Sequence, residues 1–433
     1  MADRKRVLVI CADKLGSSLA GPAMRAYEIA RVLQEHADVT LAGDRADTPP
    51  PGGVRTVLYS LRSPGELRPH VEAADVVFAQ PQWPVIARWL RRSRARLVFD
   101  LATPEPFEVL EGAAGRPLAR RVKGTLTLDR VLGALADGHH FVCAGDKQRD
   151  LWLGAMLEQR LITPALYDSD PSLLSVIDSV PFGAPAEPAR SQGGGPEEHF
   201  DAVGPGDEVV LWNGGIWGWL DAPAAIRAVA EVARERPRVR LVFMGASGAG
   251  PARAATEEAR RVAGELGLLG SVVLFNDGWV PYERRADWLL RASCAISAHH
   301  EHLETRFAYR TRMLDCFWAG LPIVCTEGDE LAARVAREGL GATAPPGDVA
   351  ALASGIRLVL DRGRAAHADG LARAAAEHAW PRVCEPLVRY VNQAAAPPLP
   401  RIPRRPLHVA RDGGFRVALG GLNALGVERT PFL

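Results

Sequence analysis

Short runs of apolar residues alternate with longer amphipathic stretches along the first half of the chain. The run at 6–11 predicts a buried strand, the stretch that Pro22 opens predicts a helix, and 39–42 predicts the next strand. Further strands are predicted at 54–59, 75–79, 96–101, 137–144 and 175–182, with helices at 84–92 and 146–154. This alternation predicts βαβ units, whose ligand-binding loops lie at the carboxyl ends of the strands.

The second half of the chain repeats the same alternation. Strands are predicted at 208–212, 239–244, 272–275 and 295–297, and helices at 222–234 and 284–292. The segment 183–206 between the halves is rich in Gly, Pro and Glu and poor in apolar residues, which predicts a linker. The pattern therefore predicts an α/β protein with two doubly wound, Rossmann-like domains that face each other across a cleft.

The stretch 299–326 carries the densest set of functional groups. Three arginines and the carboxylate of Glu304 precede a predicted helix, and that helix carries Asp315. Apolar residues at helical spacing form a core stripe on this helix, while Thr311 and Asp315 stand one turn apart on another face. A helix start preceded by arginines is predicted to bind an anion, because its first N–H groups are unpaired and its dipole favours negative charge.

The run Leu-Asp-Cys-Phe-Trp-Ala-Gly-Leu-Pro-Ile-Val at 314–324 resembles the donor-site helix of the family 4 retaining glycosyltransferases. That family usually reads E-P-F-G and then L-E-A-M-A-x-G-x-P-V-V. Asp315 falls on the second glutamate, which in that family holds the ribose hydroxyls of a nucleotide sugar, and Glu304 is the counterpart of the first, which contacts the sugar. Here the two carboxylates are eleven positions apart (304 to 315), whereas the family spaces them by eight.

The loop 213–219 departs from the family in its charge. Related enzymes place an arginine here and a lysine some residues later, and both grip the diphosphate; this sequence has neither. Its loop offers Gly214, Gly215 and Trp217, whose backbone amides can approach a phosphate closely. We expect the missing charge to come from downstream guanidinium groups, which match phosphate oxygens in pairs; the alternative is that these arginines lie on a solvated face. They are Arg306, Arg310 and Arg312.

Three residues of the first half are candidates for the cleft and the acceptor. In the resembling family the loop 13–21 lies beneath the donor diphosphate and the acceptor, which makes Gly21 and Arg25 candidates; the alternative is a plain turn. Asp100 ends a predicted strand, and the prolines in 100–108 predict irregular backbone that lines the cleft. Asp100 is expected either to orient the acceptor or to cap the next helix.

Length and composition limit the number of domains and the kinds of binding partner. The chain has 433 residues, too many for one core, and its formal charge of +1 predicts no general attraction to nucleic acid or to an anionic membrane. Its six cysteines are scattered, without a C-x-x-C pair, which favours buried reduced thiols in a cytoplasmic protein. The apolar run after residue 6 is too short for a signal peptide or a membrane span.

The expected organisation follows from these boundaries. Residues 1–190 are predicted as an acceptor-side domain, 191–206 as the linker and 207–380 as the nucleotide-sugar-binding domain. Residues 381–393 resemble the helix that crosses back to the first domain in proteins of the GT-B fold. The proline-rich segment 394–433 is predicted as a tail.

The resemblance implies a retaining glycosyltransferase that moves a sugar from a nucleotide diphosphate sugar to a small-molecule or glycan acceptor, in natural-product or cell-surface glycan biosynthesis. Glu304 and Arg310 would be its catalytic residues. No cofactor is expected, and no D-x-D motif stands at a strand end, so no metal is expected either. A nucleotide-sugar epimerase and a degenerate, non-catalytic nucleotide-sugar-binding protein remain as alternatives. A nicotinamide dehydrogenase is disfavoured, because no strand is followed by G-x-G-x-x-G. The nucleobase, the sugar, the acceptor and the oligomeric state are left open by the sequence.

Overall fold

The computed structural model describes residues 4–16, 21–46, 48–49, 52–112, 117–246, 252–278 and 280–393. It divides the chain into two compact units. The first holds Met1–Pro181 and the segment from Val383 onward, and the second holds Phe182–Arg382. The predicted tail at 394–433 lies outside the described residues.

The first unit contains a parallel sheet of seven strands in the order β3-β2-β1-β4-β5-β6-β7. The strands are β1 (Arg6–Leu15), β2 (Asp38–Arg45), β3 (Thr56–Tyr59), β4 (Val76–Ala79), β5 (Arg96–Asp100), β6 (His140–Cys143) and β7 (Ile177–Ser179). The helices are α1 (Gly21–Leu33), α2 (Arg68–Ala73), α3 (Pro84–Arg92), α4 (Glu105–Gly112), α5 (Pro117–Asp137), α6 (Asp146–Glu158) and α7 (Pro164–Ser169).

The second unit contains a parallel sheet of six strands in the order β10-β9-β8-β11-β12-β13. The strands are β8 (Glu208–Trp212), β9 (Val239–Phe243), β10 (Val273–Phe275), β11 (Cys294–Ser297), β12 (Ile323–Thr326) and β13 (Gly341–Ala344). The helices are α8 (Ala222–Ala233), α9 (Arg253–Glu265), α10 (Arg285–Arg291), α11 (Leu303–Phe307), α12 (Arg312–Trp318), α13 (Glu330–Glu338), α14 (Val349–Arg362), α15 (Ala368–Glu377) and α16 (Trp380–Val383).

Both sheets are parallel because each strand is followed by a crossover that returns the chain to the same edge. Several interior strands are short apolar runs buried on both faces: all four residues of β4, β11 and β12 are buried. Local signals set the helix ends. Asp221 and Asp329 accept backbone N–H bonds at the starts of α8 and α13, and Gly339 ends α13 at φ 64°. The prediction of two doubly wound, Rossmann-like units is confirmed.

Two local predictions need correction. The segment 100–108 is not irregular throughout, because α4 begins at Glu105 with Pro106 in its first turn, where a proline interrupts no helical hydrogen bond. In the predicted core stripe of α12, Met313, Leu314 and Phe317 are buried, but Trp318 is half-buried and donates its indole N–H to the carbonyl of Glu187.

The segment predicted as a linker groups with the second unit. The hydroxyl of Ser191 and the amide of Gln192 both donate to Oδ1 of Asp287, at 2.8 and 2.6 Å. After the second unit, α17 (Glu385–Asn392) groups with the first unit, where the Val391 carbonyl accepts from Lys5 Nζ at 2.7 Å. None of the helices that the structure describes has the length and apolar character needed to cross a lipid bilayer.

Candidate functional site

The candidate donor site of the second unit lies at the carboxyl ends of β8 and β11. These two strands are neighbours in the sheet, yet the chain leaves them toward opposite edges, to β9 on one side and to β12 on the other. Such a point, where the strand order reverses, is where open α/β sheets bind ligands. The loops 213–221 and 298–302 leave the sheet here. Three of the predicted donor residues, Gly214, Gly215 and Trp217, lie in the first of these loops.

The loop 213–219, called the glycine loop below, is hydrogen-bonded directly to the start of α12. Arg312 Nη2 donates to the carbonyl of Gly215 at 2.9 Å, and the side-chain amide of Asn213 donates to the carbonyl of Arg312 at 2.7 Å. Gly214 has φ 117°, a conformation that favours glycine. A Cβ at Gly214 would also stand 3.7 Å from Arg312 Nη2. The glycine loop and Arg312 are thus held together by these hydrogen bonds.

Arg312 is a half-buried cation with spare donor capacity. Its guanidinium lies 5.2 Å from the centre of the Trp212 ring. Burial, and to a lesser extent the charge of Arg310, lowers the pKa of Arg312 to about 9. Arg312 Nη1 is shielded from solvent and has no hydrogen-bond partner among the described residues. A shielded cation with an unsatisfied N–H is suited to bind an anion.

Glu304 and Arg310 form a buried ion pair. Arg310 donates from Nη1 and Nη2 to the two carboxylate oxygens of Glu304, at 3.0 and 2.7 Å. Glu304 is fully buried and Arg310 is 7% exposed. Thr305 Oγ1 accepts a further bond from Arg310 at 3.3 Å, and His302 Nδ1 lies 3.6 Å from Glu304. The two residues predicted to be catalytic therefore neutralise each other in this structure.

Asp315 is paired with an arginine that the sequence reasoning missed. Arg285 Nε donates to Asp315 Oδ1 at 3.0 Å, and the Arg285 guanidinium lies over the rings of Tyr282 and Trp318, at 3.5 and 4.7 Å from their centres. The Asp315 side chain is 26% exposed, so part of the carboxylate remains open to solvent. Arg285 follows the sequence Tyr-Glu-Arg, and nothing in that pattern distinguishes it from a surface arginine.

The other predicted donor residues occupy different positions. Thr311 precedes α12 and is half-buried, and its side chain does not cap the helix. Arg306 is exposed and lies 5.8 Å from the centre of the Phe307 ring. Trp217 stacks on Trp219 with ring centres 5.6 Å apart and planes 6° apart. Arg306 thus matches the alternative of a solvated arginine, whereas Arg310 is buried and Arg312 is half-buried.

Two buried histidine contacts hold the loop after β11. His299 Nε2 lies 3.4 Å from Asp329 Oδ2, and both side chains are fully buried. His302 Nε2 lies 3.2 Å from the carbonyl of Trp219, which ties the segment before α11 to the loop after β8. Sequence reasoning gave these histidines no role. The signal was present in the run His-His-Glu-His at 299–302, but its partners are distant in sequence.

In the first unit, Arg25 and Asp100 form a second buried pair. Arg25 donates to the Asp100 carboxylate at 2.7 and 3.0 Å, and also to the carbonyls of Val180 and Pro181, at 2.8 and 3.0 Å. The residues are 1% and 4% exposed. Asp100 does not cap α4, which begins five positions later at Glu105 (100 to 105). Gly21 begins α1 with open space where a Cβ would stand.

Two parallel Rossmann-like sheets, with a site where the second reverses its strand order, define the GT-B class of glycosyltransferase folds. The predicted GT-B fold class is therefore confirmed. Residues 207–362 match the sequence profile of the family described as Glycosyl transferases group 1. The family recognition is confirmed at this level, and membership of family 4 in particular stays a prediction. No curated protein sequence matches the chain.

Solved structures resemble the chain over most of its length. HepE from Anabaena, in complex with UDP and glucose, superposes with a TM-score of 0.66 at 13% identity, covering 90% of this chain and 100% of that chain. WaaG, a glycosyltransferase involved in lipopolysaccharide biosynthesis, gives 0.62 at 16% identity, covering 89% and 100%. Sucrose-phosphate synthase from Thermosynechococcus elongatus gives 0.61 at 15% identity, covering 90% and 99%. These likenesses show the fold.

Proposed function

We propose that the protein is a retaining glycosyltransferase that transfers a sugar from a nucleotide diphosphate sugar to a small-molecule or glycan acceptor, in natural-product or cell-surface glycan biosynthesis. One observation carries the proposal. In a domain that matches the profile of Glycosyl transferases group 1, the half-buried cation of Arg312 lies against the glycine loop at the switch point of the sheet, with an N–H unsatisfied. HepE, whose fold is similar, has been solved with UDP-glucose, which supports a donor of this kind.

In this proposal the diphosphate lies on the backbone amides of Gly214 and Gly215 and against Arg312. As the glycosidic bond loosens, negative charge grows on the leaving diphosphate, and a preorganised cation in a shielded site stabilises that charge. In the resembling family, two cations bind the diphosphate, one from this loop and one from a residue that follows it in sequence. Here Arg312, at the start of α12, would be the first cation. Arg310 would be the second when its bond to Glu304 loosens.

Asp315 would accept hydrogen bonds from the ribose hydroxyls through the part of its carboxylate that is open to solvent. Arg285 fixes the orientation of that carboxylate from the other side. Glu304 would approach the sugar. Because its carboxylate is held at both oxygens by Arg310, binding of the donor must draw Arg310 toward the diphosphate and thereby expose Glu304 to the sugar.

Retention of configuration is supported by the resemblance of 314–324 to the donor helix of retaining enzymes. The reaction would proceed by front-side displacement, in which a donor phosphate oxygen receives the proton of the acceptor, so that no protein nucleophile is needed. We propose that the reaction needs no metal ion. In place of a metal ion, Arg312 and Arg310 would neutralise the charge of the diphosphate.

The first test is a thermal-shift panel of UDP, GDP and ADP. A ligand at 100 times its Kd stabilises by about 2.7 kcal/mol, which for a unit of this size raises Tm by about 5–11 °C. One of the three diphosphates should produce this shift in the wild type and in Arg306→Met, and a much smaller one in Arg312→Met. The two variants remove the same charge, one from solvent and one from the glycine loop. If all three diphosphates leave Tm unchanged, the proposal fails.

The second test measures turnover of the matching sugar nucleotides with and without acceptor extracts. Sugar transfer to an acceptor that keeps the anomeric configuration supports the proposal, and inversion would contradict the retaining mechanism. Donor consumption that is independent of acceptor would indicate an epimerase. Tight diphosphate binding without turnover of any donor would indicate a non-catalytic binding protein.

A further inference from the structure

The first unit has an open pocket at the carboxyl ends of its central strands. Asp13 lines it from the end of β1, Gln80 from the end of β4 and Thr103 from the segment after β5. The strand order reverses between β1 and β4, so this pocket lies at the switch point of the first sheet. It belongs entirely to the first unit.

The walls of the pocket are largely aromatic and aliphatic. They include the side chains of Pro22, Leu61, Pro81, Trp83, Leu101, Val131 and Trp152. The indole N–H of Trp152 donates to the carbonyl of Leu101 at 3.1 Å, so this ring's polar atom is already used within the protein. The Arg130 guanidinium lies 5.1 Å from the centre of the Trp83 ring and fixes that ring as one wall. Such a surface suits a ligand with an apolar or aromatic face.

The charges that line the pocket leave one carboxylate in excess. Asp100 is neutralised by Arg25, and Glu105 is neutralised by Arg130. Asp13 forms no ion pair among the described residues, and the bond that reaches its Oδ1 comes from the amide of Lys14, at 2.7 Å. Burial is the main reason that the pKa of Asp13 is raised. The lining therefore carries a net negative charge, which repels an anion and attracts a cation or a hydrogen-bond donor.

We propose that this pocket takes the acceptor, and that the acceptor is a neutral or cationic small molecule with an aromatic or other apolar face, whose hydroxyl or amino group binds Asp13. The proposal rests on the proposed transferase function and names its acceptor class. Trp83 supplies the wall on which the apolar face packs. Phosphorylated or carboxylated acceptors are disfavoured by the unneutralised carboxylate.

The test uses isothermal titration of the full chain with three probes that share one ring system: 2-naphthol, 2-naphthylmethylamine and 2-naphthyl phosphate. In the wild type, naphthol and the amine should bind, with the amine about tenfold tighter than naphthol, and the phosphate at least tenfold weaker than naphthol. Phosphate binding as tight as that of naphthol would overturn the proposed acceptor class.

Two substitutions assign the effects to residues. Asp13→Asn should remove the advantage of the amine and reduce the penalty of the phosphate, because it deletes the charge and keeps the shape. Trp83→Ala should weaken all three probes about 3- to 10-fold, while Trp83→Phe, which keeps an aromatic wall, should stay within twofold of the wild type. If neither Asp13→Asn nor Trp83→Ala changes any of the three affinities, the probes bind elsewhere and the proposal is wrong. Melting curves of each variant confirm that it is folded.

A titration with the nucleoside diphosphate on the same samples separates this proposal from the proposed function. Diphosphate binding with no binding of naphthol or the amine contradicts the acceptor class alone. Binding of the probes with the expected charge preference, without binding of any diphosphate, supports the pocket as a site and contradicts the transferase function.

Discussion

Arg310 and Arg312 are two positions apart, yet the structure predicts opposite effects of their removal on stability. Arg310 neutralises Glu304, which is fully buried. Arg310→Met would leave that carboxylate in the interior without its partner, and breaking a buried pair in this way costs about 3–5 kcal/mol. For a unit of this size, we expect Tm to fall by about 6–20 °C.

Arg312 is a cation that folding disfavours. Its pKa is lowered from 12.5 to about 9 by burial, which corresponds to roughly 5 kcal/mol against the charged form. Arg312→Met removes that penalty and loses one charged hydrogen bond to Gly215, worth about 1.5–3 kcal/mol. The Gly215 carbonyl keeps the Trp212 indole as a donor at 3.3 Å. We therefore expect Arg312→Met to be more stable than the wild type by about 2–3.5 kcal/mol, the difference of these two contributions.

The assay is differential scanning calorimetry of both variants beside Arg306→Met, which replaces an exposed arginine and should change stability by less than about 0.5 kcal/mol. Diphosphate titration on the same samples should show that the stabilised Arg312→Met has lost about 10- to 150-fold in affinity. If Arg312→Met melts as far below the wild type as Arg310→Met does, Arg312 is a structural residue and its assignment to the diphosphate is refuted.

Three further predictions follow from neighbouring groups. Asp315→Ala should weaken diphosphate and donor alike by about 10- to 150-fold and raise KM more than it lowers kcat, because ribose does not change during the reaction; a fall in kcat alone would contradict this role. Excess EDTA should leave the initial rate of transfer unchanged, and activity that is lost with EDTA and restored by Mg²⁺ would show that a metal is required. Burial lowers the pKa of His378 below 6.5, so the unfolded chain binds more protons there, and stability should fall as pH drops below about 6.5. Calorimetry of His378→Gln between pH 7.5 and 5.5 should show a weaker loss of Tm than the wild type, and an equal loss would contradict it.

Most of the strands could be predicted from sequence because they are buried on both faces; β13, in which only alternate residues are buried, was not predicted. An unbroken apolar run such as 208–212 has one simple interpretation in a chain where helical stretches follow each run. The helix α5, with 21 residues, was not predicted, because its buried positions are sparse and its start is exposed. When packing against distant elements stabilises a helix, the sequence of that helix shows only a weak 3.6-residue repeat of apolar positions.

The candidate site residues came from the sequence, but their partners did not. Glu304 lies on α11, Arg310 between α11 and α12, and Arg312 and Asp315 on α12, and their roles stay predictions. Their pairing was not predictable, because Glu304 and Arg310 are separated by a break between α11 and α12 that changes the direction of the chain. Arg285 is thirty positions before Asp315 (285 to 315), and only the sheet brings the two together.

The pairing sets a condition on how an anion can bind. Near the switch point of the second sheet, Glu304 is matched by Arg310 and Asp315 by Arg285, whereas half-buried Arg312 forms no ion pair with the residues that the structure describes. Under the proposed function the donor brings a diphosphate with more than one negative charge, which one arginine and the loop amides would not neutralise alone. The donor would then have to take Arg310 away from Glu304. The same movement would leave Glu304 unpaired beside the sugar, where positive charge develops in the transition state. Binding of the donor would thus separate Glu304 from Arg310, which neutralise each other in the free protein. Part of the binding free energy of the diphosphate would offset the cost of breaking this ion pair and would leave the Glu304 carboxylate free to act on the sugar.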